Sequence, residues 1–276
     1  MIPNGLIPTA GPKVSTMPNT TADGDGGIVT AAILVIGDEI LSGRTKDKNI
    51  GYIAEYLTNI GIDLKEVRVV ADEEADIIAA LNALRARYTY VFTTGGIGPT
   101  HDDITADTVA KAFGVSIGPH PEAVAMMEKR VAETGGVMNE ARMRMTRVPA
   151  GAALVYNKVS AAPGFWIDNV IVMAGVPHIM QVMLDYVAPK LKTGAKMLSE
   201  SVRADCREGD IGTELGEIAK KHPDVIIGSY PFMDEKRGGN TNVVVRSRDA
   251  QKLTAAKTAV EAMLARVRAQ LEAGQA

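Results

Sequence analysis

Cysteine is nearly absent. Cys206 is the only one in 276 residues, so no intrachain disulfide can form and no thiolate zinc site can be built. Histidine is scarce as well, and His101, His120, His178 and His222 are scattered without ligand-type pairing. No Ser–His–Asp or Cys–His arrangement is suggested. Aromatic residues make up 4%, too few for a base-stacking platform. There is no excess of positive charge: 30 Lys and Arg face 33 Asp and Glu, a formal net charge of −3. A dedicated nucleic-acid binder needs the opposite balance. Long hydrophobic runs are missing too. The most apolar stretches, Ile28 to Ile36 and Val170 to Met173, are too short to span lipid. The N-terminus shows no basic region followed by an apolar core. These absences lead us to expect a cytoplasmic protein that engages neither nucleic acid nor membrane.

What is present is ordinary globular material, 46% hydrophobic and 23% charged. The length suits about two domains. Residues 1–27 carry Pro3, Pro8, Pro12 and Pro18 with no hydrophobic period, and such a stretch cannot offset its ordering entropy. A flexible tail is expected there. From Ile28 the pattern alternates between strand and helix. Ala31 to Ile36 reads as a buried parallel strand, followed by a helical face of Ile50, Ile53, Ala54, Leu57 and Ile60 that stops at Gly61. Asp63 to Val70 and Tyr90 to Thr93 read as further strands, and Thr105 as the cap of the helix carrying Val109 and Phe113. Strand signals return at Ala153 to Tyr156 and at Val170 to Met173, before a helix from Pro177. The alternation predicts a three-layer α/β/α domain over 28–192 with a mostly parallel sheet, whose ligands sit beyond the carboxyl ends of the strands. After a linker at 192–197, residues 197–273 read as a smaller α+β domain, with a hairpin turn at Lys236 to Asn240.

The densest chemical signal runs from Thr93 to Thr105, with Thr93, Thr94, Gly95, Gly96, Gly98, Thr100, His101, Asp102 and Asp103 in it. Three glycines in four positions permit positive φ and close backbone approach. Their N–H groups and the following helix start suit an anion. The adjacent carboxylates suit a divalent cation beside a phosphate. A second loop, Gly37 to Arg44, brings Asp38, Glu39, Ser42 and Arg44 to the same edge, where Arg44 could clamp a phosphate. Asn49 and Asp72 each read equally as helix caps or as ligand contacts. Ser160 to Phe165, including Gly164, and the Gly175-Val176-Pro177 turn complete four strand-end turns that are small or acidic.

Thr93 to Thr105, Gly37 to Gly43 and Gly175 to Pro177 resemble the molybdopterin-binding fold family. Asn139 to Arg142, Val148 to Ala152, Ala162 to Phe165 and Gly228 to Phe232 resemble its competence/damage-inducible protein A branch and the related domain of FAD synthases. The resemblance implies a pterin or nucleotide at the strand ends, with Asp72 and Asp103 as the catalytic aspartates. It implies a metal site of Asp38, Glu39, Asp102 and Asp103 for Mg²⁺ or a similar ion, and a phosphate loop of Gly95, Gly96 and Gly98. It further implies a homodimer or homotrimer. The branch is associated with metal-dependent hydrolysis of dinucleotide pyrophosphates such as ADP-ribose. The alternatives on the same site are adenylyl transfer to molybdopterin and non-catalytic binding of a pterin or nucleotide.

Overall fold

The computed structural model describes residues 27–235 and 238–273. Residues 1–26, nearly all of the expected tail, lie outside the described residues, as do Lys236 and Arg237, the first two residues of the expected hairpin turn. The chain divides into two compact units between Gly194 and Ala195.

In chain order the first unit holds β1 (Val29–Ile36), α1 (Asp38–Leu41), α2 (Asn49–Asn59), β2 (Ile62–Val70), α3 (Glu74–Arg85), β3 (Tyr90–Thr94), α4 (Thr105–Phe113), β4 (Ile117–Pro119), α5 (Pro121–Glu133), α6 (Glu140–Arg144), β5 (Arg147–Pro149), β6 (Ala153–Val155), β7 (Gly164–Ile167), β8 (Val170–Met173) and α7 (Pro177–Val187). Successive side chains of β1 leave on opposite faces. Ala31, Ile33 and Val35 enter one core with Phe92, Ile53 and Leu57 of α2, and Met183 and Leu184 of α7. Ala32, Leu34 and Ile36 enter a second core with Ile77, Leu81 and Leu84 of α3, and Val109 of α4. Each fully buried aliphatic or phenyl side chain contributes ~1.5–3 kcal/mol, so both faces of the strand hold the layers together. This is why β1 reads as a continuous apolar run rather than an alternating one.

The six-stranded sheet runs β2-β1-β3-β8-β7-β6. The first four strands are parallel, and β7 and β6 are antiparallel to their neighbours. The three layers and the mostly parallel sheet agree with the expected fold class. Ser160 to Phe165, expected as a loop, already contains the start of β7 at Gly164. The pair β4–β5 is a separate two-stranded sheet that the sequence pattern did not reveal.

The second unit holds β9 (Leu198–Arg203), α8 (Glu208–Lys221), β10 (Ile226–Asp234), β11 (Gly238–Ser247) and α9 (Ala250–Ala273). Its antiparallel sheet runs β10-β11-β9. Val243 and Val245 of β11 pack against Ile211 and Leu215 of α8, and against Leu253, Val260 and Leu264 of α9. Both hairpin strands are longer than expected, pairing out to Asp234 and Gly238. Pro231 is tolerated because β10 lies at the sheet edge. Among the described residues no helix is long and apolar enough to cross a membrane.

Candidate functional site

The parallel strands deliver their carboxyl ends to one edge, and the backbone there is stitched closely. Gly37 N–H donates to Val70 O (3.1 Å), and Gly95 N–H to Met173 O (3.3 Å). Gly95 stands at φ +104°, and a Cβ there would lie 2.0 Å from Ile36 O. Gly96, at φ +64°, would place a Cβ 2.1 Å from Thr105 Oγ1. No L side chain fits either position. The carbonyls of this turn are fixed by Thr105, whose hydroxyl donates to Gly95 O (3.0 Å) and whose N–H donates to Gly96 O (3.0 Å). Thr105 therefore does not cap α4 as expected. It begins that helix and ties it to the loop.

Asn49 also changes role. The α2 N-terminus is capped by Asp47, whose Oδ1 accepts from Asn49 N–H (3.1 Å) and Ile50 N–H (2.8 Å). Asn49 is buried and donates from Nδ2 to Gly175 O (2.8 Å). It thereby holds the Gly175 turn, where a Cβ would come within 3.2 Å of Gly95 Cα. Asp72 is not a cap either. Glu73 occupies the N-cap position of α3, and Asp72 Oδ2 accepts from Asp38 N–H (3.0 Å). Burial pushes the Asp72 carboxyl above the ordinary carboxylate range. The charges of Asp38, Glu39 and Asp102 push it the same way, against the Asp38 hydrogen bond. Asp38, Glu39, Asp72 and Asp102 thus share one electrostatic neighbourhood.

Asp103 turns back on its own loop. Its Oδ2 accepts from Thr100 N–H (2.8 Å) and Thr100 Oγ1 (2.5 Å), and the carboxylate rests where a Gly98 Cβ would be. The expected metal set of Asp38, Glu39, Asp102 and Asp103 is accordingly not gathered. Among the described residues no three His, Cys, Asp or Glu side chains form a metal-sized group. The donors are nevertheless hard oxygens of the kind Mg²⁺ prefers, and that ion commonly takes one or two carboxylates and completes its shell with phosphate oxygens and water.

Thr93 and Thr94 are a correction. β3 continues through Thr94, so both side chains are buried, and as neighbours in a strand they point to opposite faces. Neither hydroxyl has a hydrogen-bond partner among the described residues, and neither reaches solvent. The loop offers backbone, not this hydroxyl pair, to the cleft. Arg44 is exposed after α1, without a hydrogen bond or ion pair among the described residues.

The segment before β7 is organised by a residue the sequence reading missed. Asn157 is buried, and its Oδ1 accepts from Val159 N–H, Ser160 N–H and Ser160 Oγ while its Nδ2 donates to Ala162 O. Asx-type side-chain bonding to the following residues is its signal. Ser160 thus spends its hydroxyl inside the loop. Gly164 is required for packing, since a Cβ would lie 2.1 Å from Val172 O. Asn157→Ala is expected to cost ~2–3 kcal/mol, read by urea unfolding, because the bonds of this loop, including those around Ala161 at φ +61°, depend on one side chain.

This edge is the setting for the comparison with known proteins. Residues 32–193 match the family model described as "Probable molybdopterin binding domain". The chain belongs to that family. Residues 196–270 match a second model, "FAD synthase, middle domain", so the family domain is followed by a module of FAD-synthase type. A Pyrobaculum calidifontis protein is 34% identical over 211 residues, covering 73% of this chain and 80% of that protein. A "Probable FAD synthase" of Caenorhabditis briggsae is 29% identical over 259 residues, covering 85% of this chain but 49% of the synthase. The solved structure of "the protein CinA with unknown function" from Thermoplasma acidophilum is 30% identical. It covers 59% of this chain and 98% of that one, with a TM-score of 0.55. The molybdopterin-binding family and its competence-protein branch, expected from the loop motifs, are thereby established for this chain.

Proposed function

We propose that the molybdopterin-binding domain hydrolyses the phosphoanhydride of a nucleotide diphosphate of the ADP-ribose or FAD type. The observation that carries this reading is the convergence at one sheet edge of a backbone cradle, Gly95 to Gly98, with a carboxylate, Asp72, whose affinity for protons is raised. Phosphate oxygens would rest against the N–H groups of Gly96 to Gly98, since that of Gly95 is taken by Met173 O. Asp72 would accept the proton of a water attacking phosphorus, and a carboxylate raised toward neutral pH is suited to that task. The P–O bond to the second phosphate breaks, and the leaving phosphate departs with the bond electrons. Asp102, or the Asp103 oxygen that takes no hydrogen bond from Thr100, would supply one or two protein ligands of a divalent cation whose other positions go to phosphate oxygens and water. That cation's contribution is to neutralise phosphate charge and lower the pKa of bound water. Asp38 N–H, bonded to Asp72, orients the base.

The test incubates the full chain with ADP-ribose and with FAD, in Mg²⁺, Mn²⁺ or Co²⁺. AMP release that stops on EDTA addition and returns with the metal is the expected result. Asp103→Asn is expected to lower the rate, and full activity in that variant would remove Asp103 from the set. Absence of AMP, with adenylylated pterin formed from ATP and molybdopterin, would replace hydrolysis by adenylyl transfer. The pterin of that second reading is in keeping with the description of the family model, which names binding and not transfer.

A further inference from the structure

Three arginines lie within six residues on α6 and at the start of β5, and their environments differ. Arg147 is matched by Asp107 in a two-pronged pair, with Nη1 at 2.8 Å and Nη2 at 2.5 Å from the two carboxylate oxygens. Arg142 Nη1 donates to Val137 O. Arg144 is different. Its recorded hydrogen bond is a long one, Nη2 to Asp103 O at 3.3 Å. Its Nε is buried and has no partner among the described residues. None of the ion pairs among the described residues includes it. Unpaired donors on a guanidinium are costly, and buried polar groups are normally satisfied. Yet this guanidinium stands beside the backbone cradle, lining a narrow cleft with Gly96, Gly98, Asp103 and Pro163.

We infer that Arg144 is a phosphate-binding residue of the glycine-loop site, with its Nη donors, rather than the buried Nε, meeting the oxygens of a bound diphosphate. The inference rests on the reading of that loop as an anion cradle. A planar guanidinium matches two phosphate oxygens at once, which backbone N–H groups alone do not. The bond to Asp103 O keeps it at the loop until the anion arrives. Its positive charge also offsets the repulsion that Asp102 and Asp103 would exert on a phosphate.

Inorganic pyrophosphate is the probe, titrated calorimetrically into the full-length wild type, Arg144→Gln and Arg144→Lys, with the thermal midpoint of each recorded. Arg144→Gln is expected to bind at least about 10-fold more weakly, some 1.4 kcal/mol, with its midpoint unchanged. Lysine should restore part of the loss, because it keeps the charge but not the fork. With ADP-ribose as substrate, KM should rise more than kcat falls. A measurement independent of variant folding uses the wild type alone. Phenylglyoxal labelling of Arg144, read by peptide mass spectrometry, should slow in pyrophosphate while labelling of exposed Arg87, before the amino end of β3, does not. Equal affinity in Arg144→Gln, no protection of Arg144, or no pyrophosphate binding by the wild type would each overturn the inference. Pyrophosphate bound with Arg144 protected, but no nucleotide cleaved, would instead remove the hydrolase reading and leave Arg144 in place.

Discussion

Asp72→Asn is expected to lower the rate of ADP-ribose cleavage by about 10²–10⁴-fold and at the same time to make the fold more stable at neutral pH. The two effects share one cause. Burial and the neighbouring carboxylates raise the Asp72 proton affinity above the unfolded value. A carboxyl raised in this way favours the folded state while it is protonated. That contribution is complete below the unfolded value, 3.8, and is lost as pH rises through the folded one. At neutral pH the ionised group is therefore a liability that the fold tolerates. Asparagine removes the charge and still offers an oxygen to Asp38 N–H. Thermal midpoints of wild type and variant should coincide in acid and separate as pH rises, with the variant higher. The wild-type rate should climb with pH through the raised Asp72 value, and that limb should disappear in the variant. A variant with the wild-type rate would take Asp72 out of the reaction. A variant less stable at neutral pH would show that the Asp38 bond outweighs the repulsion.

Gly95→Ala is expected to be the most disruptive single methyl group in the first unit. At φ +104° an L residue is strained, and its Cβ would lie 2.0 Å from Ile36 O, a backbone atom at the end of the central strand that cannot swing aside. Left-handed backbone alone costs ~1–2 kcal/mol, and separating two paired strands adds to it. We expect at least ~4 kcal/mol, in the range reserved for identifiable structural damage. Gly114→Ala is the control. Gly114 closes α4 at φ +65° with nothing within 4 Å of its virtual Cβ, so only the conformational term of ~1 kcal/mol applies. Urea unfolding of both variants decides the matter, since equal losses would mean that contact with Ile36 is unimportant.

The parts of this protein that were legible in the sequence are those governed by local rules. β1 could be read because a doubly covered strand needs an unbroken apolar run. The glycine loop could be read because positive φ and close approach leave glycine as the available residue. Side-chain assignments that depend on distant partners could not be read. Asn49 and Asp72 each read equally as a cap or a ligand contact, but their partners, Gly175 O and Asp38 N–H, are 126 and 34 residues away in the chain. Thr93 and Thr94 looked like cleft hydroxyls because nothing local reports that β3, expected to end at Thr93, runs one residue further and buries both side chains. β4 and β5, three residues each, are too short for any period to register.

The reversal of strand direction at β7 has a consequence for how the cleft is enclosed. β8 leaves the sheet where β3 does, whereas β7 enters there and β6 ends there. Their connection, residues 156–163, is therefore delivered to the ligand side, with Pro163 facing the cradle. Had β7 kept the sense of the strands on either side of it, the cleft would receive only outgoing turns from that flank. A hairpin on one flank of an otherwise unidirectional sheet so gives the binding edge an incoming wall, and changes in the length of that connection offer a route to altered ligand size that leaves the strand-end turns intact.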